Sequence, residues 1–207
     1  MKNATRTTTR RLIATAAVLM LAFFFVARDA QAQSDPPKVE IGGHFSLLRL
    51  PRDGQVFDTT AAGGGARATF NLNANVALEG EVNYYRKLNS NPILTDSPAI
   101  TGLFGVKAGW RGESVGVFAK VRPGVLHFKE TLDPRIVFIV PPPVPQNPQF
   151  ALDLGGVLEA YPSRRLVIRF DVGDTVIRFR YRISPLGEIR FTTHNVQFNA
   201  GIGFRFF

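Results

Sequence analysis

The chain of 207 residues contains no cysteine. That absence excludes a disulfide framework and any thiolate metal site, and it removes the residue that would carry a lipoprotein anchor. Beyond residue 33 no run approaches the ~20 apolar residues that a spanning helix needs, and no long stretch repeats its apolar residues at helical spacing. Histidine is scarce, with His44, His127 and His194 alone. No phosphate-cradling glycine loop, metal-ligand cluster or paired-carboxylate motif stands out. No cofactor, metal or catalytic residue is expected.

What is present begins with an N-terminal targeting pattern. Lys2, Arg6, Arg10 and Arg11 precede an apolar run over residues 12–26, and Ala30-Gln31-Ala32 fits a small-x-small cleavage site. Residues 1–32 are therefore expected to be a cleaved signal peptide and residues 33–207 the mature domain. The whole chain holds 25 basic and 16 acidic side chains. Taking away five basic residues and one acidic residue of the leader leaves the mature part with a net charge of +5. In an exported protein that excess points to anionic lipid rather than to nucleic acid.

The mature chain alternates with a period of two, the signature of strands with unlike faces. Eight strands are expected, at about 38–50, 63–72, 75–88, 99–111, 115–129, 149–161, 166–179 and 194–207. The intervening connections, 51–62, 73–74, 89–98, 112–114, 130–148, 162–165 and 180–193, alternate long and short. In an up-and-down barrel this puts every short turn on one rim and every long loop on the other, as in transmembrane barrels. A membrane protein without spanning helices has only a closed barrel open to it.

Orientation follows from composition. On the last strand Val196, Phe198, Ala200, Ile202, Phe204 and Phe206 alternate with Asn195, Gln197, Asn199, Gly201, Gly203 and Arg205. Polar faces elsewhere carry Gly42, Gly65, Gly105, Gly109, Gly124, Gly155 and Gly173, which suit a cramped lumen better than an open strand surface. The expected lumen network is Arg67, Lys107, Lys120, Arg122, Arg169 and Arg205 against Glu40, Glu79, Glu81, Asp153, Glu159 and Asp171. Facing hydrocarbon, each Arg or Lys near the midplane costs ~2–4 kcal/mol. Aromatic belts are expected from Trp110, Tyr161 and Phe206 at the short-turn rim, and from Tyr84 with Phe179 or Tyr181 at the other.

The chain resembles the small outer-membrane β-barrels that include the transmembrane domain of outer membrane protein A. Its final strand, residues 195–207, carries apolar residues at every second position and ends in Phe206-Phe207. The segment 161–171 is similar to the family's last turn and seventh strand. The resemblance implies an all-β, eight-stranded antiparallel up-and-down barrel in the outer membrane, of the stand-alone kind, with no peptidoglycan-binding domain after the eighth strand. It also implies that Phe204, Phe206 and Phe207 form the signal read by the outer-membrane assembly machinery.

Expected partners are therefore outer-membrane lipid and lipopolysaccharide, with the assembly machinery during biogenesis, and the chain is expected to be a monomer. In the 180–193 connection and its stems, Arg178, Arg180 and Arg182 turn outward if the register is unbroken, within reach of lipopolysaccharide phosphates. A bulge at Gly173-Asp174 would turn them inward. Pro141, Pro142, Pro143, Pro145 and Pro148 make the 130–148 connection a stiff extended segment.

The expected role is structural or surface-interacting, with a closed polar lumen and four extracellular loops. A low-conductance pore is the first alternative. A lipid A-modifying enzyme is the second, but it lacks an evident site: His44 and Ser46 are read into the lumen, no serine accompanies His127 and His194 lies at a loop edge.

Overall fold

The computed structural model describes residues 36–50, 59–86, 94–95, 98–128, 131–132, 144–183 and 187–206. The expected signal peptide and Phe207 lie outside the described residues. Eight long strands make up the compact unit that starts at Asp35. They are β1 (Val39–Leu50), β2 (Thr59–Asn71), β3 (Val76–Tyr85), β4 (Ala99–Arg111), β5 (Val115–Phe128), β6 (Gln149–Ser163), β7 (Leu166–Ile183) and β8 (Gly187–Phe206). Each pairs antiparallel with its sequence neighbour, and β8 returns to pair with β1, from Val39 opposite Phe206 to Arg49 opposite Val196. The sheet is thus a closed up-and-down barrel, with the ladder complete around its circumference.

Closure matters because backbone N–H and C=O groups have no water to bond in hydrocarbon, so an open edge there is costly. Among the described residues no helix is long and apolar enough to cross a membrane; the crossing elements are strands.

Side chains alternate as a lipid-facing barrel requires. Phe104 is 62% exposed and Ile202 56%, whereas Arg122 and Glu79 are fully buried. Phe198 and Phe204 also point out, while Arg169 and Asp171 are buried inside. A soluble barrel has the reverse arrangement.

Three tight turns close one rim. Asn73 Oδ1 accepts hydrogen bonds from the backbone of Asn75 and Val76, both at 2.8 Å. Gly112 N donates to Val115 O at 2.7 Å, and Ser163 Oγ accepts from Leu166 N at 3.2 Å. The short polar side chains of Asn73 and Ser163 cap backbone N–H groups in their turns, whereas at Gly112 the backbone itself closes the turn.

The opposite rim departs from expectation in two places. β2 starts at Thr59, inside the expected 51–62 connection. The expected 180–193 loop is mostly strand: β7 runs to Ile183, β8 resumes at Gly187, and only 184–186 separate them. Gly187 takes a positive φ of 106°, open to glycine at little cost. Both arms are polar on their outer face, so the apolar alternation that marks a strand in lipid is missing where they rise beyond it. Of the proline-bearing 130–148 connection, Val144–Pro145 pairs with Tyr181 and Arg182.

Inward glycines serve a purpose more specific than saving lumen space. A Cβ on Gly105 would lie 2.0 Å from Val121 O, and one on Gly124 2.0 Å from Gly102 O. At these points the neighbouring strand's backbone occupies the space a side chain would need. Outward Gly102, by contrast, has nothing within 4 Å of an added Cβ. Gly105→Ala is therefore expected to destabilise the barrel by about 1–3 kcal/mol through overpacking. Gly102→Ala should leave it unchanged. Urea unfolding of the two variants in detergent checks the contrast.

Candidate functional site: the lumen network and the rims

The strand parity that turns Phe104 outward turns Arg111, Lys107 and Leu103 inward, and each strand contributes such a row. All twelve charged residues read from the sequence as lumenal are buried in the interior. At their centre Arg122 donates to Glu79 at 2.5 Å, to Glu81 at 2.6 Å and to Asp153 at 2.5 Å. Glu79 also receives Arg169, whose Nη2 lies 2.8 Å from Oε1. Arg169 further engages Asp171 at 2.9 Å. Lys107 bonds Glu159, and Lys120 lies 2.9 Å from Asp153. Each of these carboxylates meets a cation, on its own strand, on a neighbouring one or farther round the barrel, so none is left as an uncompensated buried charge.

Outlying members are looser. Arg67 is 3.9 Å from Asp171, and Arg205 Nε is 3.6 Å from Glu40. Arg205 instead lies over the Tyr161 ring, 4.4 Å from its centroid, a cation–π contact.

One further charge and several neutral side chains join the twelve. Arg111 is buried and donates to Asn71 at 2.9 Å and to Glu40 at 3.4 Å. Its position, two residues from Gly109 and four from Lys107, already gave it inward parity. Asn199 of β8 donates to Glu81 of β3 across the lumen at 3.1 Å, while Asn83, two residues along β3 itself, donates to it at 2.8 Å. Such cross-lumen pairs depend on strand stagger, which composition does not reveal.

Two aromatic expectations need correcting. Tyr161 points inward and donates to Glu159 at 2.8 Å, rather than forming a belt. Phe179 is likewise buried on the inward face, edge-on to Phe128 at 5.8 Å. Trp110, Tyr84 and Phe206 do face outward.

The lumen is also less uniformly polar than expected. Towards the loop rim Leu48, Tyr85, Leu103, Leu126, Ile177 and Phe179 belong to one buried apolar cluster. Below it Ser46 Oγ and Tyr85 OH lie 2.9 Å apart, and His44 Nε2 is 2.5 Å from Asn83 Oδ1. His44 and Ser46 thus have separate partners and do not form a nucleophile–base pair. His127 is exposed on the outer face. His194 bonds Asp174 at 2.6 Å, also outside. Among the described residues no group of three or more His, Asp or Glu side chains could hold a metal ion.

Register from Gly173 to Ile183 is continuous with β8, so the alternative bulge is absent and Arg178, Arg180 and Arg182 are exposed on the outer face. Phe204 and Phe206 lie outward on β8, opposite Ile41 and Val39 at the closing seam.

A closed barrel with charges paired inside and an apolar outer band defines an integral outer-membrane β-barrel protein. Residues 16–206 match the family described as outer membrane protein beta-barrel domain, and the chain belongs to that family. No curated protein matches it in sequence. Among solved structures, Neisserial surface protein A aligns with a TM-score of 0.58 and 9% identity, covering 84% of this chain and 100% of its own. OprG of Pseudomonas aeruginosa gives 0.54 and 12%, covering 85% and 99%. Ail, the attachment invasion locus protein of Yersinia pestis, gives 0.52 and 14%, covering 83% and 99%. At these identities the likeness is one of fold.

Arg122→Met removes the cation shared by three carboxylates and is expected to cost about 3–5 kcal/mol, because it leaves buried charge uncompensated. Arg205→Gln, at the end of the network, should cost less than Arg122→Met, because Glu40 keeps Arg111 and Asn71 as partners. Unfolding midpoints in detergent at constant pH measure both.

Proposed function

We propose that the protein is a closed structural barrel of the outer membrane that displays its loop-side rim for surface interaction, rather than a pore or an enzyme. The carrying observation is the filled interior: Arg122, Glu79, Leu126 and Ile177 are all fully buried, so no water-sized passage touches these four side chains. An eight-stranded barrel is only just wide enough to be filled by side chains. Here they are tied across the lumen by charge-assisted bonds, which resist separation.

Its immediate partner is lipid, met by the outward rows that contain Phe45, Phe104, Val172 and Ile202. The β1–β8 seam supports reading Phe204, Phe206 and Phe207 as the segment engaged by the assembly machinery before the barrel closes. Below Arg49 and Val196 every strand pairs on both sides, which leaves no open edge in that part of the barrel and favours a monomer.

Reconstituted in planar bilayers, the protein is expected to show no steady single-channel conductance at neutral pH. A sustained open level would overturn the closed-barrel reading. The same preparation should change gel mobility on boiling, which verifies that the barrel under test is folded.

A further inference from the structure

The upper halves of β7 and β8 form a hairpin whose outer face changes character at one height. Going up β7, outward Phe170 and Val172 give way to Asp174 and Val176, then to Arg178, Arg180 and Arg182; on β8, Phe198 and Val196 give way to His194, Thr192, Arg190 and Glu188. With ~3.3 Å per residue and a tilt near 40°, Arg178 and Arg180 stand roughly 5 and 10 Å above Val176, at the level of lipid headgroups.

The pairing within this patch is unusual. Arg180 lies directly opposite Arg190, Arg178 opposite Thr192 and Arg182 opposite Glu188. Like charges directly opposite one another destabilise a ladder, so the Arg180–Arg190 pair has a cost unless an anion lies between them. The carboxylate at hand is Glu188, and it is occupied: Arg190 Nε and Nη2 donate to its two oxygens at 3.1 and 3.0 Å. Asp174, lower on the same face, is engaged by His194. Among the described residues the Arg180 guanidinium makes one long hydrogen bond, at 3.5 Å to the carbonyl of Pro148. Among the described residues, four guanidinium groups therefore have one carboxylate, Glu188, at their level of the patch.

We propose that the outer face of this hairpin binds the phosphate groups of outer-leaflet lipid, lipopolysaccharide in the bilayer assigned here. Arg180 and Arg190 clamp one phosphate from two strands, and Arg178 and Arg182 flank it. Guanidinium forks suit this, since they bond phosphate oxygens in pairs. The ligand is a lipid rather than a free anion because the patch continues downward into Phe170, Val172, Val196 and Phe198, along which acyl chains lie. Glu188 holds Arg190 until a phosphate displaces it, so it weakens binding. The proposal rests on the outer-membrane reading and adds a ligand and four residues to it.

The test uses the full barrel in phosphatidylcholine vesicles and measures binding of diphosphorylated lipid A. Arg180→Gln with Arg190→Gln is expected to weaken binding about ten-fold, the loss of one or more charge-assisted bonds. Glu188→Gln should tighten it a few-fold, an effect that a merely structural carboxylate would not produce. Dephosphorylated lipid A should bind the unaltered protein as weakly as diphosphorylated lipid A binds the double variant. Unchanged affinity in the double variant, or equal affinity for the dephosphorylated lipid, overturns the proposal. So does full competition by millimolar inorganic phosphate, which would indicate a site for free anions. Heat-dependent gel mobility is recorded for each variant. A variant that keeps its shift and its affinity refutes the phosphate site alone, whereas unaltered protein without a shift refutes the outer-membrane reading.

Discussion

Glu79 accepts hydrogen bonds from both Arg122 and Arg169, and the rest of the structure depends on the constraint this contact satisfies. A charge within the membrane has to face away from hydrocarbon and has to find a partner once it does. No single strand meets the first condition, and Arg169 with Asp171 on β7 meets the second only in part, since Arg169 also needs Glu79. The strands must close so that an interior exists, and their stagger must bring carboxylates of β3, β6 and β7 to cations of β4, β5 and β7. Removing one member leaves a buried charge behind, so the network and the closed ladder stand together.

The same constraint orders the two ends of the lumen. Where the strands lie deepest in the membrane, polar groups are confined to the interior and tied to one another. Towards the loop rim the interior becomes apolar, from Leu126 and Ile177 to the stacked rings of Phe179 and Phe191, 5.2 Å apart. Outside, the order is inverted, with an apolar band below and arginines above. The β7–β8 hairpin is where the two inversions meet: its inner face packs aromatic rings over the barrel while its outer face presents guanidinium groups to the headgroup layer. Inward glycines such as Gly105 and Gly124 leave room for the backbone of the neighbouring strand.

Much of this is legible in the sequence because a period of two has only two phases. Once Phe198, Ile202 and Phe204 are assigned to lipid, the interior position of Asn199, Gly201 and Arg205 follows, and the same step on other strands collects the lumenal charges. What escapes is what that signal does not encode. The hairpin arms above the membrane carry arginine on one face and isolated aromatics on the other, so they read as loop although the ladder continues through them. Tyr161 and Phe179 mislead when assigned by residue type, since parity alone turns both inward. Arg111 was within reach of parity. Cross-lumen partners such as Asn199 with Glu81 were not, because stagger arises from how the whole barrel closes.

The absence of cysteine makes the central claim directly testable by single-cysteine labelling. Cysteines placed one at a time at Phe198, Asn199, Val172 and Asp171 in membrane-reconstituted protein can carry a fluorophore quenched by brominated acyl chains. With charges inside and apolar residues towards lipid, labels at 198 and 172 should be strongly quenched, and those at 199 and 171 should react slowly and escape quenching. Strong quenching at 199 and 171 with water-exposed labels at 198 and 172 would show the barrel to be oriented the other way and would contradict the account.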